Sequence, residues 1–517
     1  MSYRLEKEPN GEQALVIDGW EKGIGPDPYS GMGKMLGVNL EVPGEVSVGY
    51  GLTTSVTSGG TLGKPIDSST RFFPTYTTPV GIPTGSAQSY AILDDSGQVW
   101  ESTSITGTWT FLTSSNSTSG SSDKDGVAYW LGYLWKTRGA NIDYWDGSTW
   151  HAGWKTTLDA GVKHQLYVAT NNQLYITNGN SIARIFAADP TSFDHTNTGT
   201  YDFNIAILNL PVTETALSLA EVGGGNTPQS TLLIGGAGNA IYPWDKLSSS
   251  FALPIYVADG YIAKMISVNQ NAFIFPGNTG GRGRIYITNG AQADLYFKIP
   301  DFIYGVNDPY FEWGGVAFHR NNLLFSVYAD NNASAGITLK NWIFALNLGE
   351  HTTPYGQSLP EKTLRVISTL TSGSQLDNFA SVIIPAINPN TAGFSYICGQ
   401  YGTGNTNLIS YSGTTAGIGS GSVVTDFIPV GTFTQKRTFT QVEFKLRSPL
   451  SSGENIVITM DTNDDSQTLV FSPTPTTGSI SGYAPVVVQN AQWLQFTAIL
   501  TGNSTTSGVR LKEIRLR

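Results

Sequence analysis

Five tryptophans that lie within one stretch of 25 residues are the side chains in this sequence best suited to binding a ligand. They are Trp130, Trp135, Trp145, Trp150 and Trp154. The flat face of an indole stacks on the face of a sugar ring, which makes the cluster a candidate glycan site. Tryptophan is also ordinary packing material between sheets. We therefore take the five residues as the candidate ligand-binding site and keep interior packing as the alternative.

The sequence offers no positive signature of catalysis or of metal binding. Its five histidines are scattered, and none has the spacing of a metal-ligand pair. The single cysteine, Cys398, lies in an apolar run without a histidine nearby, which is typical of a buried thiol. No Gly-x-Ser-x-Gly nucleophile motif occurs. We predict that the protein is not an enzyme and has no catalytic residue, no bound metal and no cofactor.

A short segment within the tryptophan cluster resembles the Asp-box of sialidase-like propellers. Gly147, Thr149 and Trp150 match the end of that motif, whereas the aspartate is displaced by one position, to Asp146, and the leading serine is absent. The Asp-box shapes a hairpin turn and takes no part in catalysis. The resemblance therefore implies a turn between two strands of a propeller blade.

The elements that position these residues are predicted to be β-strands. The 517 residues include 59 Gly, and aromatic residues make up 11% of the chain, but only 13% of residues are charged. Aromatic and aliphatic content at this level excludes a disordered chain. A helix-rich protein is excluded as well, because such chains are rich in Glu, Lys, Arg and Ala. The composition indicates a large all-β protein with a surface rich in Ser, Thr, Asn and Gly.

Charge and hydropathy limit the partners and the location. A net charge of −10 argues against a protein that wraps nucleic acid by neutralising phosphates, so DNA is expected only as passing cargo. No run of 18 apolar residues occurs, and we predict no membrane insertion. The polar N-terminus shows no signal peptide. A charge-poor surface without an export signal is typical of a virion component that is assembled in the host cytoplasm and released by lysis.

Residues 51–425 are predicted to form a β-propeller of about seven blades. Apolar strands alternate with Gly/Asn turns and aromatic-bearing strands, and this unit recurs every 40 to 55 residues in the later part. One hairpin is strongly indicated, from Gln165–Ala169 through Asn171-Asn172 to Gln173–Ile176. An array of β-sandwiches or barrels is the alternative. The expected blades are residues 85–115, 125–160, 161–200, 205–260, 261–309, 310–363 and 364–425.

The two ends of the chain differ from this middle part. Residues 1–50 are rich in Gly and Pro and are predicted to form an extended arm that packs on the rest of the chain or on a neighbouring subunit. Residues 426–517 contain seven strand-like runs with alternating polarity, which predicts a C-terminal β-sandwich or jelly roll. This last segment has eight cations and seven acids, a net charge of +1, so the remaining residues carry −11.

The two ends also carry a resemblance to a known class of proteins. Gly19–Met32 and Leu36–Val48 resemble the opening of structural proteins from tailed bacteriophages, in which an extended arm precedes a propeller. Ile428–Thr432 and Lys436–Leu446 resemble the entry to the C-terminal sandwich of these proteins. The resemblance implies a propeller-bearing tail protein of the nozzle or hub type. Such proteins form rings through which DNA leaves the capsid, and they have no catalytic residues.

Two functional hypotheses follow. The first is a non-enzymatic structural component of a tailed-phage virion, assembled as a symmetric ring that takes part in DNA passage and host attachment. Its partners are other copies of itself and other tail proteins. The second is an adhesin or tail-fibre-type protein that binds a host-surface glycan or receptor through the tryptophan cluster or the C-terminal sandwich. A polysaccharide-degrading propeller is the third and least favoured alternative.

Overall fold

The computed structural model covers the chain with gaps. It describes residues 3–7, 9, 13–18, 20, 32–36, 38–39, 46–48, 52–54, 57–58, 66–72, 88–94, 97–103, 108–112, 126–189, 191, 193–223, 230–277, 283–299, 310–319, 321–330, 340–349, 351–352, 358–359, 362, 364–370, 380–385, 395–402, 405–412, 420–425, 428–430, 437–462, 469–471, 477–502 and 509–517.

All regular elements of these described residues are β-strands, which confirms the prediction of a nearly all-β protein. The N-terminal strands are β1 Tyr3–Lys7, β2 Gln13–Ile17, β3 Met32–Leu36, β4 Val38–Asn39, β5 Val46–Val48, β6 Leu52–Thr54 and β7 Thr57–Ser58. The next strands are β8 Ile66–Phe72, β9 Ser89–Asp94, β10 Val99–Ser102, β11 Trp109–Leu112, β12 Val127–Trp130, β13 Tyr133–Arg138, β14 Asn141–Trp145, β15 Trp150–Lys155, β16 Leu166–Val168, β17 Leu174–Asn178, β18 Ser181–Ala187 and β19 Tyr201–Asn209.

The second half continues in the same way. Its first strands are β20 Ala216–Val222, β21 Thr231–Gly236, β22 Ala240–Trp244, β23 Ile255–Tyr256, β24 Tyr261–Val268, β25 Asn271–Gly277, β26 Arg284–Thr288, β27 Ala293–Lys298, β28 Tyr310–His319, β29 Asn322–Asp330, β30 Lys340–Asn347, β31 His351–Thr352, β32 Ser358–Leu359 and β33 Leu364–Leu370. The last are β34 Ala380–Pro385, β35 Ser395–Gly402, β36 Asn405–Ser412, β37 Ser420–Thr425, β38 Ile428–Pro429, β39 Arg437–Leu446, β40 Asn455–Thr462, β41 Leu469–Phe471, β42 Ser481–Ala491, β43 Trp493–Thr501 and β44 Arg510–Leu516.

Most of these strands form antiparallel sheets that follow one another along the chain, as in a β-propeller. We number them by their strands: sheet 1 is β8–β11 with β7 added in parallel, sheet 2 is β12–β15, sheet 3 is β16–β19, sheet 4 is β20–β23, sheet 5 is β24–β27, sheet 6 is β28, β29, β30 and β33, and sheet 7 is β34–β36 with β6. The first strand of each sheet contacts the first strand of the next, and β34 contacts β8. The described sheets 1–7 therefore close into a ring, and β6 joins the last sheet to the N-terminal part of the chain.

Several central strands of the ring's sheets are buried on both faces, whereas outer strands such as β19 and β27 are largely exposed. β9, β17 and β22 are buried at every residue, because a neighbouring sheet covers each side. The strands of the C-terminal segment differ: β40 and β43 alternate between buried and partly exposed residues, so only one face of each packs inward. The two burial patterns distinguish these central strands of the ring from the strands of the C-terminal segment.

Side chains join neighbouring sheets of the ring, because the described residues form only isolated backbone bonds between sheets, such as Gly223 N to Gln270 O at 2.9 Å. Each of the side-chain bonds links a side chain near one sheet edge to the backbone of the next sheet. They are Ser68 Oγ with Val127 N at 3.2 Å, Trp130 Nε1 with Asn172 O at 3.1 Å, Gln165 Oε1 with Leu219 N at 2.8 Å, Ser218 Oγ with Ile262 O at 3.3 Å, Trp313 Nε1 with Pro276 O at 2.8 Å and Arg71 Nη2 with Pro385 O at 3.0 Å.

The two ends of the chain meet in a further pair of sheets. Sheet 8 has the order β1-β2-β44-β39-β42, with β5 also paired to β44, and sheet 9 has the order β3-β37-β43-β40-β41. Trp20 is fully buried, and its Nε1 donates to the carbonyl oxygen of Lys512 at 2.9 Å. One hydrophobic cluster runs from sheets 8 and 9 into sheets 5 and 6. The described strands of the segment expected as an arm, residues 1–50, thus lie in sheets with the C-terminal strands.

A close approach between sheets 2 and 3 makes a sharp test of this packing. A Cβ placed on Gly126 would lie 2.6 Å from His164 O and 2.9 Å from Leu166 N, both backbone atoms of the next sheet. We expect Gly126→Ala to lower the free energy of unfolding by about 1–3 kcal/mol, the usual cost of overpacking. The midpoint of urea denaturation measures the change.

Gly161→Ala is the matched control for that variant. The nearest atom to its added Cβ is Asp159 Oδ1 at 3.7 Å, an ordinary contact, and Gly161 is exposed. Alanine there reduces the freedom of the unfolded chain and is expected to stabilise the fold by about 0.4–1 kcal/mol. Equal effects of the two variants would contradict the close packing of sheets 2 and 3.

Candidate functional site

The predicted tryptophan site lies on sheet 2, and the register of the strands divides its residues between two faces. Successive side chains of a strand point to opposite faces, so residues paired across strands share a face. Trp135 pairs with Tyr144, and Tyr144 pairs with His151. Leu134 pairs with Trp145, and Trp145 pairs with Trp150. The five tryptophans therefore do not form one continuous platform.

Three of the tryptophans pack towards sheet 3. Trp130 and Trp135 are buried in the core between the sheets, and Trp154 is half-buried against the same cluster. Trp135 Nε1 donates to Trp130 O at 3.0 Å, and Trp154 Nε1 donates to His195 O at 2.9 Å. Backbone carbonyls thus satisfy the polar edge of each ring. Trp130 and Trp135 offer no face to a ligand.

The other two tryptophans pack towards sheet 1. Trp150 is buried, Trp145 is half-buried, and their ring centroids lie 5.6 Å apart. Lys136 Nζ lies 4.6 Å from the centroid of the Trp150 ring and donates to Gly97 O at 2.8 Å, which ties sheet 2 to a turn of sheet 1. Trp145 and Trp154 are the two members of the predicted site with partly exposed rings, and they lie on opposite faces.

A cluster of histidine, tyrosine and aspartate side chains crosses the seam between sheets 2 and 3. The rings of Tyr144 and His151 stack at 4.4 Å with an interplanar angle of 10°. The ring of His195, from the connection between β18 and β19, lies 4.5 Å from Tyr144 and 5.3 Å from His151. His151 Nε2 and Asp146 Oδ2 lie 2.8 Å apart. This seam cluster brings two titratable imidazoles beside a carboxylate.

Burial and neighbouring charges shift the protonation of this seam cluster in opposite directions. Burial alone would raise the pKa of Asp146, but hydrogen bonds from His151 and from the backbone of Thr149 and Ser148 outweigh it and lower the pKa well below its usual range. Burial lowers the pKa of His195, and repulsion from His151 adds to that effect, while Asp194 and Asp146 oppose it. At neutral pH, the arrangement holds an ionised Asp146 close to a neutral His195.

The ring of His195 has a polar atom that nothing satisfies in the described structure. Its Nδ1 is buried and has no hydrogen-bond partner among the described residues. Burial raises the pKa of the neighbouring Tyr144, so that phenol stays protonated. A buried ring nitrogen without a partner destabilises the fold, and this imidazole takes up a proton as the pH falls.

The Asp-box-like segment forms a hairpin turn, as predicted. Asp146 Oδ1 accepts hydrogen bonds from the backbone nitrogens of Ser148 and Thr149, both at 2.8 Å, and Gly147 has a φ of +98°. Asp146 thereby closes the turn between β14 and β15 and, with its other oxygen, contacts His151. One residue serves both the fold and the seam cluster.

A buried polar group joins sheets 3 and 4. Lys246 Nζ lies 2.5 Å from Glu221 Oε1 and 2.5 Å from Ser230 Oγ, and Thr170 N donates to Glu221 Oε2 at 2.9 Å. A serine beside a lysine is the arrangement of one class of nucleophile. The ammonium that pairs with Glu221, however, has no lone pair with which to take the proton of Ser230. This group acts as a clamp between two sheets.

The sequence showed His151 and His195 only as two of five scattered histidines. His151 follows the Asp146 turn on the facing strand, and this local signal could have paired the two residues. His195 is 44 residues further along the chain. Only the packing of sheet 3 on sheet 2 brings it to the seam, so no spacing rule could find it.

Among the described residues, neither a metal-binding cluster nor a membrane-spanning helix is present. No group of three or more His, Cys, Asp or Glu side chains within them is placed to hold a metal ion. Among the same residues there is no helix with the length and apolarity that crossing a membrane requires. The Cys398 side chain lies outside the described part of the structure.

Similarity to known proteins was found among solved structures. No family model matches the chain, and no curated protein matches it. Among solved structures, the β-propeller domain of Cps50 (Swd1) from Myceliophteria thermophila is similar, with 14% sequence identity and a TM-score of 0.42. The similarity covers 70% of this chain and 100% of that domain.

The shifted His195 predicts a pH-dependent stability. Because its pKa is lower in the folded chain than the ordinary value of about 6.5, the unfolded chain takes up the proton first as the pH falls. The contribution of His195 to the free energy of unfolding is therefore complete above about pH 6.5 and is lost as the pH falls below that value. We expect His195→Gln to flatten the decrease in unfolding free energy between about pH 7 and pH 5.

Histidine-selective NMR titration checks the cause of that change. The His195 resonance is expected to titrate below the ordinary histidine range, and His151→Gln should raise its midpoint by removing the neighbouring positive charge. A His195 midpoint that does not move in His151→Gln would contradict the coupling across the seam.

Proposed function

We propose that sheets 1–7 are the blades of a seven-bladed β-propeller and that sheets 8 and 9 are the two layers of a β-sandwich. The propeller is supported by the contacts of the first strands around the ring and by the addition of β6 to sheet 7. The alternating burial of β40 and β43 supports the sandwich, since each of its sheets buries one face. In this arrangement residues 1–50 supply strands to the sandwich, β6 to β36 are the strands of the propeller, and β37 to β44 complete the sandwich, so that the boundary lies before β37 rather than at 425.

On this architecture we place a non-enzymatic structural role, that of a virion tail protein assembled as a symmetric ring. The layout of an N-terminal segment, a propeller and a C-terminal sandwich agrees with that of the phage tail proteins that the two chain ends resemble. The contacts of the polar side chains described above also favour a structural role for the protein. The clamp at Lys246, the ammonium of Lys136 and the indoles of the tryptophan cluster all bind other parts of the same chain.

The observation that carries the assembly is an apolar outer edge on sheet 4. Leu247 and Leu253, in the connection before β23, are 91% and 87% exposed, and Tyr256 in β23 is 68% exposed. β23 is the outermost strand of its sheet in the described structure and has only two residues. Large apolar side chains at a sheet edge are costly in water and are typical of a surface that another chain covers. We assign this edge to contact between copies in the ring.

The mass of the particle tests the assembly. Light scattering on the purified chain, alone and mixed with other virion proteins, is expected to give a multiple of the 55.4 kDa chain. The double variant Leu247→Asp, Leu253→Asp should shift the particle towards the monomer, because charges at the contact repel and cannot be buried unpaired.

Val212→Asp is the matched control, since Val212 is 90% exposed but lies in the connection between β19 and β20 rather than in the one before β23. The control should keep the wild-type mass. A protein that stays monomeric under all conditions and is missing from purified virions would overturn the proposed role.

Glycan binding remains the second candidate because of two partly exposed indoles. Trp145 and Trp154 are half-buried, so part of each ring is open to solvent. The neighbouring seam cluster adds the polar side chains of His151 and Asp146, which are 38% and 28% exposed. An aromatic surface beside polar groups is the usual composition of a sugar subsite.

A glycan array separates the two candidates. If sugars bind to one face of sheet 2, alanine in place of the tryptophan on that face, Trp145→Ala or Trp154→Ala, should abolish the array signal while the circular dichroism spectrum stays unchanged. Trp109→Ala, at a fully buried ring of sheet 1, would instead unfold or destabilise the chain by about 3–5 kcal/mol. Wild-type protein that binds no glycan would exclude this candidate and leave the structural role.

A further inference from the structure

One short sequence occurs twice in the chain, as Tyr175-Ile-Thr-Asn-Gly179 and as Tyr286-Ile-Thr-Asn-Gly290. Each copy leads from a strand into a hairpin turn: the first joins β17 to β18 in sheet 3, and the second joins β26 to β27 in sheet 5. The glycine of each copy has a positive φ, +61° at Gly179 and +99° at Gly290. Because the local sequence is the same, a difference in reactivity between the two asparagines must come from the fold.

An asparagine followed by a glycine allows the backbone to attack its own side chain. The nitrogen of the second residue bonds to the side-chain Cγ and expels ammonia, which leaves a cyclic succinimide. Glycine favours this reaction because it has no Cβ to obstruct the approach of the two atoms. Such lability makes asparagine a residue that proteins from hot environments use sparingly.

The turn at Asn289 bends its side chain towards the nitrogen of Gly290. Asn289 is exposed, and its Oδ1 accepts a hydrogen bond from Ala291 N at 3.1 Å. This bond closes a ring of atoms that contains both Asn289 Cγ and Gly290 N. The same donor polarises the side-chain carbonyl and stabilises the negative charge that an attack on Cγ places on Oδ1.

The attacking nitrogen lies outside the strand ladder. The last paired residues of this hairpin are Thr288 and Ala293, and Gly290 N donates to Thr288 Oγ1 at 3.0 Å. That hydrogen bond uses the proton of the nitrogen and not the lone pair that attacks. It also places an acceptor within reach of the proton that must leave.

Asn178 has the opposite surroundings. It is only 8% exposed, and its Oδ1 accepts a hydrogen bond at 2.7 Å from Asp159 N, in the connection between β15 and β16. Its Nδ2 lies 3.5 Å from Ser181 Oγ. The carbonyl of this side chain is therefore held by a different segment, and little of the residue is open to the water that hydrolysis requires.

We propose that Asn289 is a site of spontaneous modification, at which the chain converts this asparagine into isoaspartate and aspartate. The bond from Gly290 N to Asn289 Cγ forms, the bond from Cγ to Nδ2 breaks, and Nδ2 leaves as ammonia with the proton of Gly290 N. Water then adds to one of the two succinimide carbonyls and opens the ring. The fold keeps Asn178 intact.

The modification changes the seam between sheets 4 and 5. A Cβ placed on Gly290 would lie 2.9 Å from Val222 Cγ2, so this turn packs directly on β20. Isoaspartate lengthens the backbone of the turn by a methylene group, and both products add a negative charge to a hairpin that already carries Asp294. We expect the modified chain to have a lower isoelectric point and a lower unfolding temperature.

Mass spectrometry of the full chain, aged in mildly alkaline buffer, tests the site. Trypsin cleaves after Lys and Arg, so it releases Asn289 in Ile285–Lys298 and Asn178 in His164–Arg184. In the folded chain the replacement of NH₂ by OH is expected to be about tenfold faster or more at Asn289, which corresponds to a barrier lower by about 1.4 kcal/mol. Equal rates at the two positions, or no change at Asn289, would overturn the proposal.

Ageing in urea separates the fold from the sequence. In the unfolded chain the two asparagines should convert at similar rates, because each has the same residues before it and the same glycine after it. A difference that persists in urea would contradict the role assigned to the two turns. When the buffer is prepared with heavy-oxygen water, the label should enter the Asn289 product, and an unlabelled product would contradict the hydrolysis step.

Asn289→Gln is the variant that keeps the amide but blocks the reaction. Its longer side chain would have to close a larger ring, so the acidic shift on isoelectric focusing should be lost on ageing, as should the fall in unfolding temperature. An acidic shift of wild-type size in this variant would overturn the assignment to Asn289. These measurements use the isolated chain, so their outcome does not depend on ring assembly.

Discussion

The seams between sheets are the constraint on which this structure depends. Within a sheet, backbone hydrogen bonds join the strands, but sheets that stand side by side in a ring have no such ladder between them. Side chains must supply the contact instead, and each polar group that they bury needs a partner. The side-chain-to-backbone bonds of Ser68, Gln165 and Ser218 meet this requirement close to the axis. Aromatic packing meets it further out, as between Trp154 of sheet 2 and Tyr201 of sheet 3, whose ring centroids lie 5.1 Å apart.

The same constraint explains the unusual composition. A surface lysine or glutamate cannot enter a seam without a partner, whereas serine, threonine and tryptophan place one donor or acceptor at a seam with little cost of desolvation. Where charges do enter, they are paired: Lys246 with Glu221 between sheets 3 and 4, and Lys136 near Asp143 with Nζ and Oδ2 3.8 Å apart. The low fraction of charged residues therefore reflects the number of seams, and it does not require secretion.

Local patterns in the sequence predicted local structure well. The Asn171-Asn172 hairpin is present between β16 and β17, and Asn172 adopts the positive φ of 55° that such a turn needs. Pairing between distant segments left no comparable signal. Nothing near Trp20 indicates that its indole bonds to Lys512, because that contact depends on β2 pairing with β44.

The sequence indicated the residue types of the candidate site, but it could not indicate the face of the sheet on which each side chain lies. A cluster of tryptophans in the sequence is equally compatible with a platform and with a seam, because the alternation of side chains along each strand decides which faces are free. In sheet 2 both faces are covered, so that Trp130 and Trp135 are part of the core. The polar side chains of the seam cluster lie where two sheets meet. In a ring of this kind, ligand chemistry should be sought where the seams end, at the axis and at the outer edges. The apolar edge of sheet 4 lies at one of these outer edges.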